Sequence, residues 1–250
     1  MEARSIQEYE RLEKYYWWFV GRRKIIEKVI SINFSGRHLN ILDWGCGPGG
    51  NFGFLSNYGK VIGVDASDEA VRACREKGIT NIEQANTLDE FKSDYQFDLI
   101  TNFDVLEHIA DDEKFLQRLK FFLKHRGYVL VTVPAYQFLW TQLDVVLGHQ
   151  RRYTRGEIMA KFKRNGYHVI SASYFVFFIS PAFIAYRLFE KLWYKCHHNL
   201  SASLNDSVVE FPAVINWLFT QTLFWEATLL RYVRLPFGTS IIVLAQSNCS

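Results

Sequence analysis

The stretch Ile41-Leu42-Asp43-Trp44-Gly45-Cys46-Gly47-Pro48-Gly49-Gly50 carries an apolar run into a glycine-rich turn. Asp65 follows about 20 residues later, at the end of a second apolar run. Glycines at such a turn let the backbone approach a ligand closely and tolerate positive φ. Gly45, Gly47 and Gly50 satisfy the G-x-G-x-x-G spacing of a dinucleotide-binding turn, with Asp65 placed to accept hydrogen bonds from ribose hydroxyls. Asp43 favours a different ligand. A carboxylate at that strand end repels a diphosphate and attracts a ligand bearing an ammonium and a sulfonium, and S-adenosylmethionine has both. A nicotinamide-linked oxidoreductase keeps only the glycine spacing and Asp65 in its favour.

A second polar set lies further along. His108 comes just after the apolar run Phe97 to Phe103, and the ordinary pKa of imidazole suits a general base near neutrality. Asp104 and Glu107 are weaker candidates, and Glu107 or His108 could equally cap and orient the next helix. His149, Arg151, Arg152, Tyr153 and Arg155 follow a later strand, where guanidinium forks would hold a phosphate or carboxylate on an acceptor. The alternative is a solvated loop whose arginine stems cover aromatics, with Asp144 pairing one of them. The expected catalytic residues are His108 and His149, and the expected acceptor contacts are Tyr136, Arg151, Arg152 and Tyr153, with Trp140 nearby. Cys196-His197-His198 cannot converge on one ion without further ligands, so no metal site is expected.

The elements that position these residues follow from periodicity. Short apolar strands alternate with amphipathic helices from Leu39 onward, which predicts βαβ units and a parallel sheet. Strands are expected at Leu39 to Asp43, Val61 to Asp65, Asn81 to Gln84, Phe97 to Phe103, Tyr128 to Val133, His168 to Phe177 and Ser240 to Ala245. Helices are expected at Asp68 to Lys77, N-capped by Asp68 and stopped by Gly78, and at Asp111 to Lys124. A third runs from about Arg155 to Asn165 behind a Thr154/Glu157 capping box and ends at Gly166. Before the sheet, Ser5 to Ser31 reads as two helices broken near Gly21, with an aromatic knot at Tyr15 to Phe19 and the basic run Arg22-Arg23-Lys24. The expected division is a helical lid over residues 1–36, a core over 37–177 and 236–250, and an aromatic-rich helical insertion over 178–235.

Within the insertion, Ile179 to Trp193 and Phe211 to Val233 are apolar but interrupted by Pro181, Arg187, Glu190, Glu226 and Arg231. Neither offers the ~20 unbroken apolar residues of a membrane-spanning helix. Helical core, a substrate lid, a membrane-surface helix and a face for a second copy of the chain all fit. Aromatics make up 16% of the 250 residues and crowd the two ends of the chain. The net charge of +3 is too small to make nucleic acid the expected partner. The four cysteines share no C-x-x-C spacing, and the charged N-terminus has no secretory apolar region, so a cytoplasmic protein is expected, with peripheral contact to the inner membrane face.

Taken together these motifs resemble the class I S-adenosylmethionine-dependent methyltransferases, from Leu39 to about Ala245. Asp43-Trp44-Gly45-Cys46-Gly47-Pro48-Gly49 is similar to that family's first motif and Val64-Asp65-Ala66-Ser67 to its ribose-binding strand end. Phe97-Asp98-Leu99-Ile100 and Asp104-Val105-Leu106-Glu107-His108 are similar to its fourth strand and the segment after it. The resemblance implies an α/β, Rossmann-like three-layer sandwich with a seven-stranded sheet, its last strand antiparallel between the fifth and sixth, and an N-terminal helix closing over the cofactor. It places S-adenosylmethionine on Asp43, Gly45, Cys46, Gly47, Asp65, Ala66, Asn86 and Phe103. Many members have Asp where this chain has Asn86, whose carbonyl oxygen could still take the adenine amine. A narrower resemblance, carried by Trp17-Trp18-Phe19, Arg22-Arg23, Gly148 to Thr154 and Leu235 to Ser240, is to bacterial methyltransferases found near glycosyltransferase and surface-polymer functions. The expected reaction is methyl transfer to a small or lipid-linked acceptor. The rival is a peripheral membrane or scaffold protein whose Rossmann-like core is not catalytic.

Overall fold

β1 (Leu39–Trp44) is buried at five of its six positions, as a strand sandwiched between two helical layers must be, and this is why its sequence is a nearly continuous apolar run. The computed structural model describes residues 3–93, 95–196 and 210–248. β1 is flanked by β2 (Gly59–Asp65) and β4 (Phe97–Phe103), both parallel to it, in a seven-stranded sheet of order β3-β2-β1-β4-β5-β7-β6. The other strands are β3 (Ile82–Gln84), β5 (Leu123–Pro134), β6 (Tyr167–Phe175) and β7 (Ser240–Ser247). β7 runs antiparallel to both β5 and β6, as expected. The register sets Asp43 of β1 between Gly63 of β2 and Thr101 of β4, so three strands contribute to its surroundings.

Helices cover the sheet: α3 (Phe52–Leu55), α4 (Asp68–Glu76), α5 (Asp112–Leu119), α6 (Gln142–Val146) and α7 (Arg155–Arg164). The α7 capping box forms as expected, with Thr154 and Glu157 satisfying each other's backbone amides. Two helix ends differ from expectation. The N-cap of α4 is Ser67, whose hydroxyl accepts from the Ala70 amide, and Asp68 lies one residue inside, where its charge suits the helix dipole. α5 stops at Leu119, and after a 3-10 turn Leu123 already pairs with Phe97, so β5 begins five residues before the expected Tyr128.

The N-terminal segment breaks at Tyr16, between α1 (Ala3–Tyr15) and α2 (Trp17–Phe34), rather than near Gly21. Gly21 sits inside α2 for a packing reason. A Cβ there would overlap Leu223 of α9 (Ala213–Leu229), so the missing side chain lets two helices approach. Asn216 of α9 holds the break itself: its side chain accepts from the Trp17 amide at 2.8 Å and donates to the Tyr15 carbonyl at 2.9 Å. Trp17, 3% exposed, packs against Phe183 of α8 (Ser180–Cys196) and Phe219 of α9. Aromatics from the two ends of the chain therefore meet around Trp17. No helix among the described residues is long and apolar enough to cross a membrane.

Candidate active site

The glycine turn is fixed from below. The amides of Gly45 and Cys46 both donate to the Val64 carbonyl, at 2.7 and 3.1 Å. Gly45, Gly47 and Gly49 all have positive φ, +77°, +55° and +85°. A Cβ on Gly45 would overlap Val105, so the turn lies directly against the segment after β4, whereas a Cβ on Gly47 would meet nothing within 4 Å. Gly47 thus borders open space on the ligand side of the turn. Asp65 accepts the Gly47 amide on Oδ2 (2.8 Å) and the Ser67 amide on Oδ1 (2.9 Å). Each oxygen keeps a lone pair for a hydroxyl.

Asp43 is 1% exposed. Its Oδ1 accepts from the Thr101 hydroxyl at 2.7 Å, while its Oδ2 has no partner among the described residues. Burial pushes its pKa up to about 7, against the pull of the Thr101 hydroxyl, the Arg22 guanidinium and the nearby Asn51 side chain. A buried carboxylate oxygen left unpaired costs stability unless a ligand supplies a donor, and a cationic amine is the donor that also favours the ionised form. The two buried thiols lie under the turn: Cys46 and Cys74 both point Sγ at the Gly47 carbonyl, at 3.6 and 3.3 Å. The Cys46 side chain supports the turn, and its amide and carbonyl are bonded within it, to Val64 and Gly49.

At the neighbouring strand ends, Asp104 adopts φ +55°, an uncommon conformation for a residue with a Cβ, and forms an ion pair with the buried Arg22 of α2. Arg22 also lies over the Trp18 ring, 4.6 Å from its centroid. A 3-10 turn, Leu106–His108, then points Glu107 inward with no exposure and turns His108 outward. Neither carboxylate oxygen of Glu107 has a hydrogen-bond partner among the described residues, and burial pushes its pKa well up. His149 reaches the same place from the segment after β5. Its Nδ1 is 2.8 Å from Asp144 Oδ1, its Nε2 is 4.0 Å from Glu107 Oε1, and its ring lies edge-on to that of His108 at 4.7 Å. Desolvation and the nearby His149 pull the His108 pKa below the usual imidazole range.

A family model described as "Methyltransferase domain" matches residues 19–172, which takes in the glycine turn, Asp65, and both histidines. The chain belongs to that methyltransferase family. It is 35% identical over 115 residues to the ubiquinone biosynthesis O-methyltransferase of Bradyrhizobium diazoefficiens, over 44% of this chain and 45% of that protein. The same enzyme of Glaesserella parasuis is 25% identical over 171 residues, 59% of this chain and 72% of the relative. The chain spans about half the length of several of the curated relatives it matches. A solved S-adenosylmethionine-dependent methyltransferase from Archaeoglobus fulgidus superposes with a TM-score of 0.58 at 15% identity, covering 96% of this chain and 99% of that one, and shows the shared fold. The cofactor is S-adenosylmethionine, and the unpaired Asp43 oxygen, the open face of Gly47 and the Asp65 carboxylate fit it.

The methyltransferase uses its other sequence-predicted site residues unevenly. Asn86 is exposed and donates from its amide and its Nδ2 to Glu90 at 2.9 and 3.1 Å, leaving its Oδ1 for an adenine amine. Ala66 is exposed beside Asp65, whereas Phe103, 5% exposed, packs into the core beneath the site. The arginine segment is not the free anion cradle that its composition suggested. Arg152 grips Asp144 with two nitrogens, at 2.8 and 3.1 Å, and Arg151 caps the carbonyls of Ile109 and Ala110 and pairs with Asp112. The expected Asp144 pairing is therefore present and takes the guanidinium meant for substrate. Tyr153, 2% exposed, donates its hydroxyl to Asp112 at 2.8 Å, so it is a core residue rather than an acceptor contact. Arg155 lies over Tyr174, which stacks on Tyr136 at 5.2 Å. Tyr136 is half-buried with φ +61° beside the exposed Phe138 and keeps an open flank.

The N-terminal helices cover the glycine turn. Glu13 of α1, 8% exposed, packs on Gly50, and Arg23 ties the two by donating to the Glu13 carbonyl (2.6 Å) and the Gly50 carbonyl (3.2 Å). Arg22, through Asp104, and Arg23 hold the cover in place. Cys196 ends α8 and His197 and His198 lie outside the described residues. Sequence reasoning missed Thr101 as the partner of Asp43 and Glu107 as an inward, unpaired carboxylate. Both follow from strand register and turn geometry, which a linear motif does not record.

Proposed function

We propose that this methyltransferase moves the methyl group of S-adenosylmethionine to an oxygen of an apolar, lipid-linked acceptor. The observation that carries the reading is the outer face of the insertion. Trp217, Trp225 and Tyr232 are 58%, 71% and 74% exposed along and just past α9, with Val214 and Leu218 beside them and Arg231 and Arg234 at the end. A row of exposed indoles ending in cations suits the headgroup boundary of an anionic bilayer, where a lipid-carried acceptor resides. The names of the ubiquinone-biosynthesis relatives, and the resemblance to enzymes near surface-polymer functions, support an acceptor of this kind.

Bound S-adenosylmethionine supplies an electrophilic methyl on a positive sulfur. The chain's part is to align it and to take charge of the acceptor proton. Asp43 and Asp65 hold the cofactor, α1 and α2 cover the turn, and the Glu107, His108 and His149 cluster beside it favours the ionised form of an acceptor hydroxyl. The test is transfer of label from methyl-labelled S-adenosylmethionine into a polyprenyl phenol presented in anionic vesicles, compared with a short-chain soluble analogue. Faster labelling of the vesicle-borne phenol is the expected result. Equal rates for both, with the protein failing to float with the vesicles, would sink the lipid-linked part of the reading.

A further inference from the structure

Glu107 presents a chemical problem that its own fold does not solve. Both of its oxygens are buried and neither has a hydrogen-bond partner among the described residues. Ionised, it is a buried charge helped only by its own backbone amide and the nearby Arg22 and Arg152 charges; protonated, its hydroxyl still lacks an acceptor among the described residues. Nearby nitrogens are well placed for a third arrangement. Asp144 is fixed in place by Arg152, which donates to it from two nitrogens at 2.8 and 3.1 Å, and by the Thr141 amide at 2.8 Å. As a fixed acceptor it takes the Nδ1–H of His149, so in the neutral ring the lone pair is on Nε2, the nitrogen that faces Glu107 at 4.0 Å. A carboxylate behind a histidine is the arrangement that orients an imidazole toward a metal ion.

We propose that Glu107, His108 and His149 Nε2 bind a divalent first-row transition cation, with the acceptor oxygen completing its coordination. Ligand atoms from the three residues lie within 4.8 Å of one another, and donors held ~2.0–2.2 Å from one ion sit up to roughly 4.4 Å apart, so small side-chain rotations close the set. The two chain segments are already tied together, since the Gln150 amide donates to the Glu107 carbonyl at 2.7 Å. Two imidazoles and one carboxylate suit zinc, cobalt or manganese better than magnesium, and three protein ligands leave positions open for a substrate. The site adjoins the cofactor turn through Val105, which packs on Gly45 two residues before Glu107. An acceptor hydroxyl bound there loses its proton to solvent; its oxygen then bonds to the methyl carbon as the carbon–sulfur bond breaks, leaving S-adenosylhomocysteine. Only this role rests on the methyltransferase reading, and the binding of the ion stands apart from it.

The experiment is titration of chelator-stripped full-length protein with Zn²⁺ and Mn²⁺ by calorimetry and with Co²⁺ by visible absorption, alongside S-adenosylhomocysteine. One ion per chain is expected, with the d–d bands of a Co²⁺ site bearing nitrogen and oxygen ligands. Glu107→Gln and His149→Ala should each weaken metal binding by roughly 100-fold or more, and Asp144→Asn by roughly 10–100-fold, while S-adenosylhomocysteine affinity stays within about threefold. That retained affinity also shows each variant to be folded, and the wild-type Co²⁺ spectrum stands independently of any variant. No stoichiometric binding of any of the three ions to wild type, or binding unchanged in both Glu107→Gln and His149→Ala, overturns the proposal. Metal binding without S-adenosylhomocysteine binding would keep the site and remove the methyltransferase reading.

Discussion

The cofactor edge and the acceptor edge of the same sheet are built by different rules. At the cofactor edge, backbone amides and two carboxylates do the holding: Gly45, Cys46 and Gly47 are pinned by Val64 and Asp65, and Asp43 waits with one oxygen unpaired. At the acceptor edge the chain spends its charges on itself, with Arg22 on Asp104, Arg152 and His149 on Asp144, and Arg151, Tyr153 and Lys161 on Asp112. The first edge is a ligand site whose shape comes from local sequence. The second is a network of paired charges in which Glu107 is left without a hydrogen-bond partner among the described residues.

Asp43 gives the largest expected effect, because it opposes stability and function. Its folded-state pKa, about 7, lies above the ordinary 3.8, so its contribution is fully present below about pH 4 and is lost as the pH rises through 7. The three-unit difference corresponds to roughly 4 kcal/mol. Asp43→Asn should therefore make the ligand-free protein more stable at pH 8, by a few kcal/mol, and weaken S-adenosylhomocysteine binding by roughly 100-fold or more. Urea unfolding of both proteins at pH 5 and pH 8 reads the first effect and calorimetry the second. A variant that is less stable than wild type at pH 8 would show that the unpaired oxygen is satisfied within the fold.

Asp65→Ala comes next. It removes acceptors for two ribose hydroxyls and also releases the Gly47 and Ser67 amides, so cofactor affinity should drop by roughly 100-fold. Asp65→Asn separates the two contributions: one amide oxygen can retain a single backbone bond, and an intermediate loss is expected. If Asp65→Ala bound S-adenosylhomocysteine as wild type does, the parallel between the two carboxylates at the cofactor edge would fail.

The difference between the edges also explains what could be read from the sequence. The glycine turn, Asp43 and Asp65 were legible because each belongs to a short-range pattern, whereas the antiparallel last strand between the fifth and sixth came only with the resemblance to the methyltransferase family. The arginine segment stayed open between an anion cradle and a loop paired by Asp144; the structure shows the Asp144 pairing, and Asp112, which holds Arg151, comes from another helix that the local sequence does not reveal. Gly21 was misread for the same reason. A glycine among apolar residues looks like a helix break until Leu223, about 200 residues away, is seen to need its space. Gly21→Ala should separate α2 from α9 and cost roughly 1–3 kcal/mol by overpacking, while cofactor affinity changes little. A thermal shift with and without S-adenosylhomocysteine checks both, and an undisturbed melting temperature would mean that α9 docks loosely on α2.

Asn86 gives the smallest effect and the finest test of the cofactor edge. Its amide and Nδ2 donate to Glu90, so the side chain is already oriented by a neighbour that is itself exposed, and the bond its Oδ1 offers an adenine amine is neutral and near solvent. Such a bond contributes roughly 0.5–1.5 kcal/mol, so Asn86→Ala should weaken S-adenosylhomocysteine binding by only about 3–10-fold. Asn86→Asp, which places a charge on the same geometry, should recover the adenine contact but repel the Glu90 carboxylate that positions it. A gain in affinity for Asn86→Asp that disappears on adding Glu90→Gln would count against that repulsion. A gain that appears only with Glu90→Gln would show that the adenine end of the site, unlike the carboxylates beneath the glycine turn, depends on a partner supplied by the next loop.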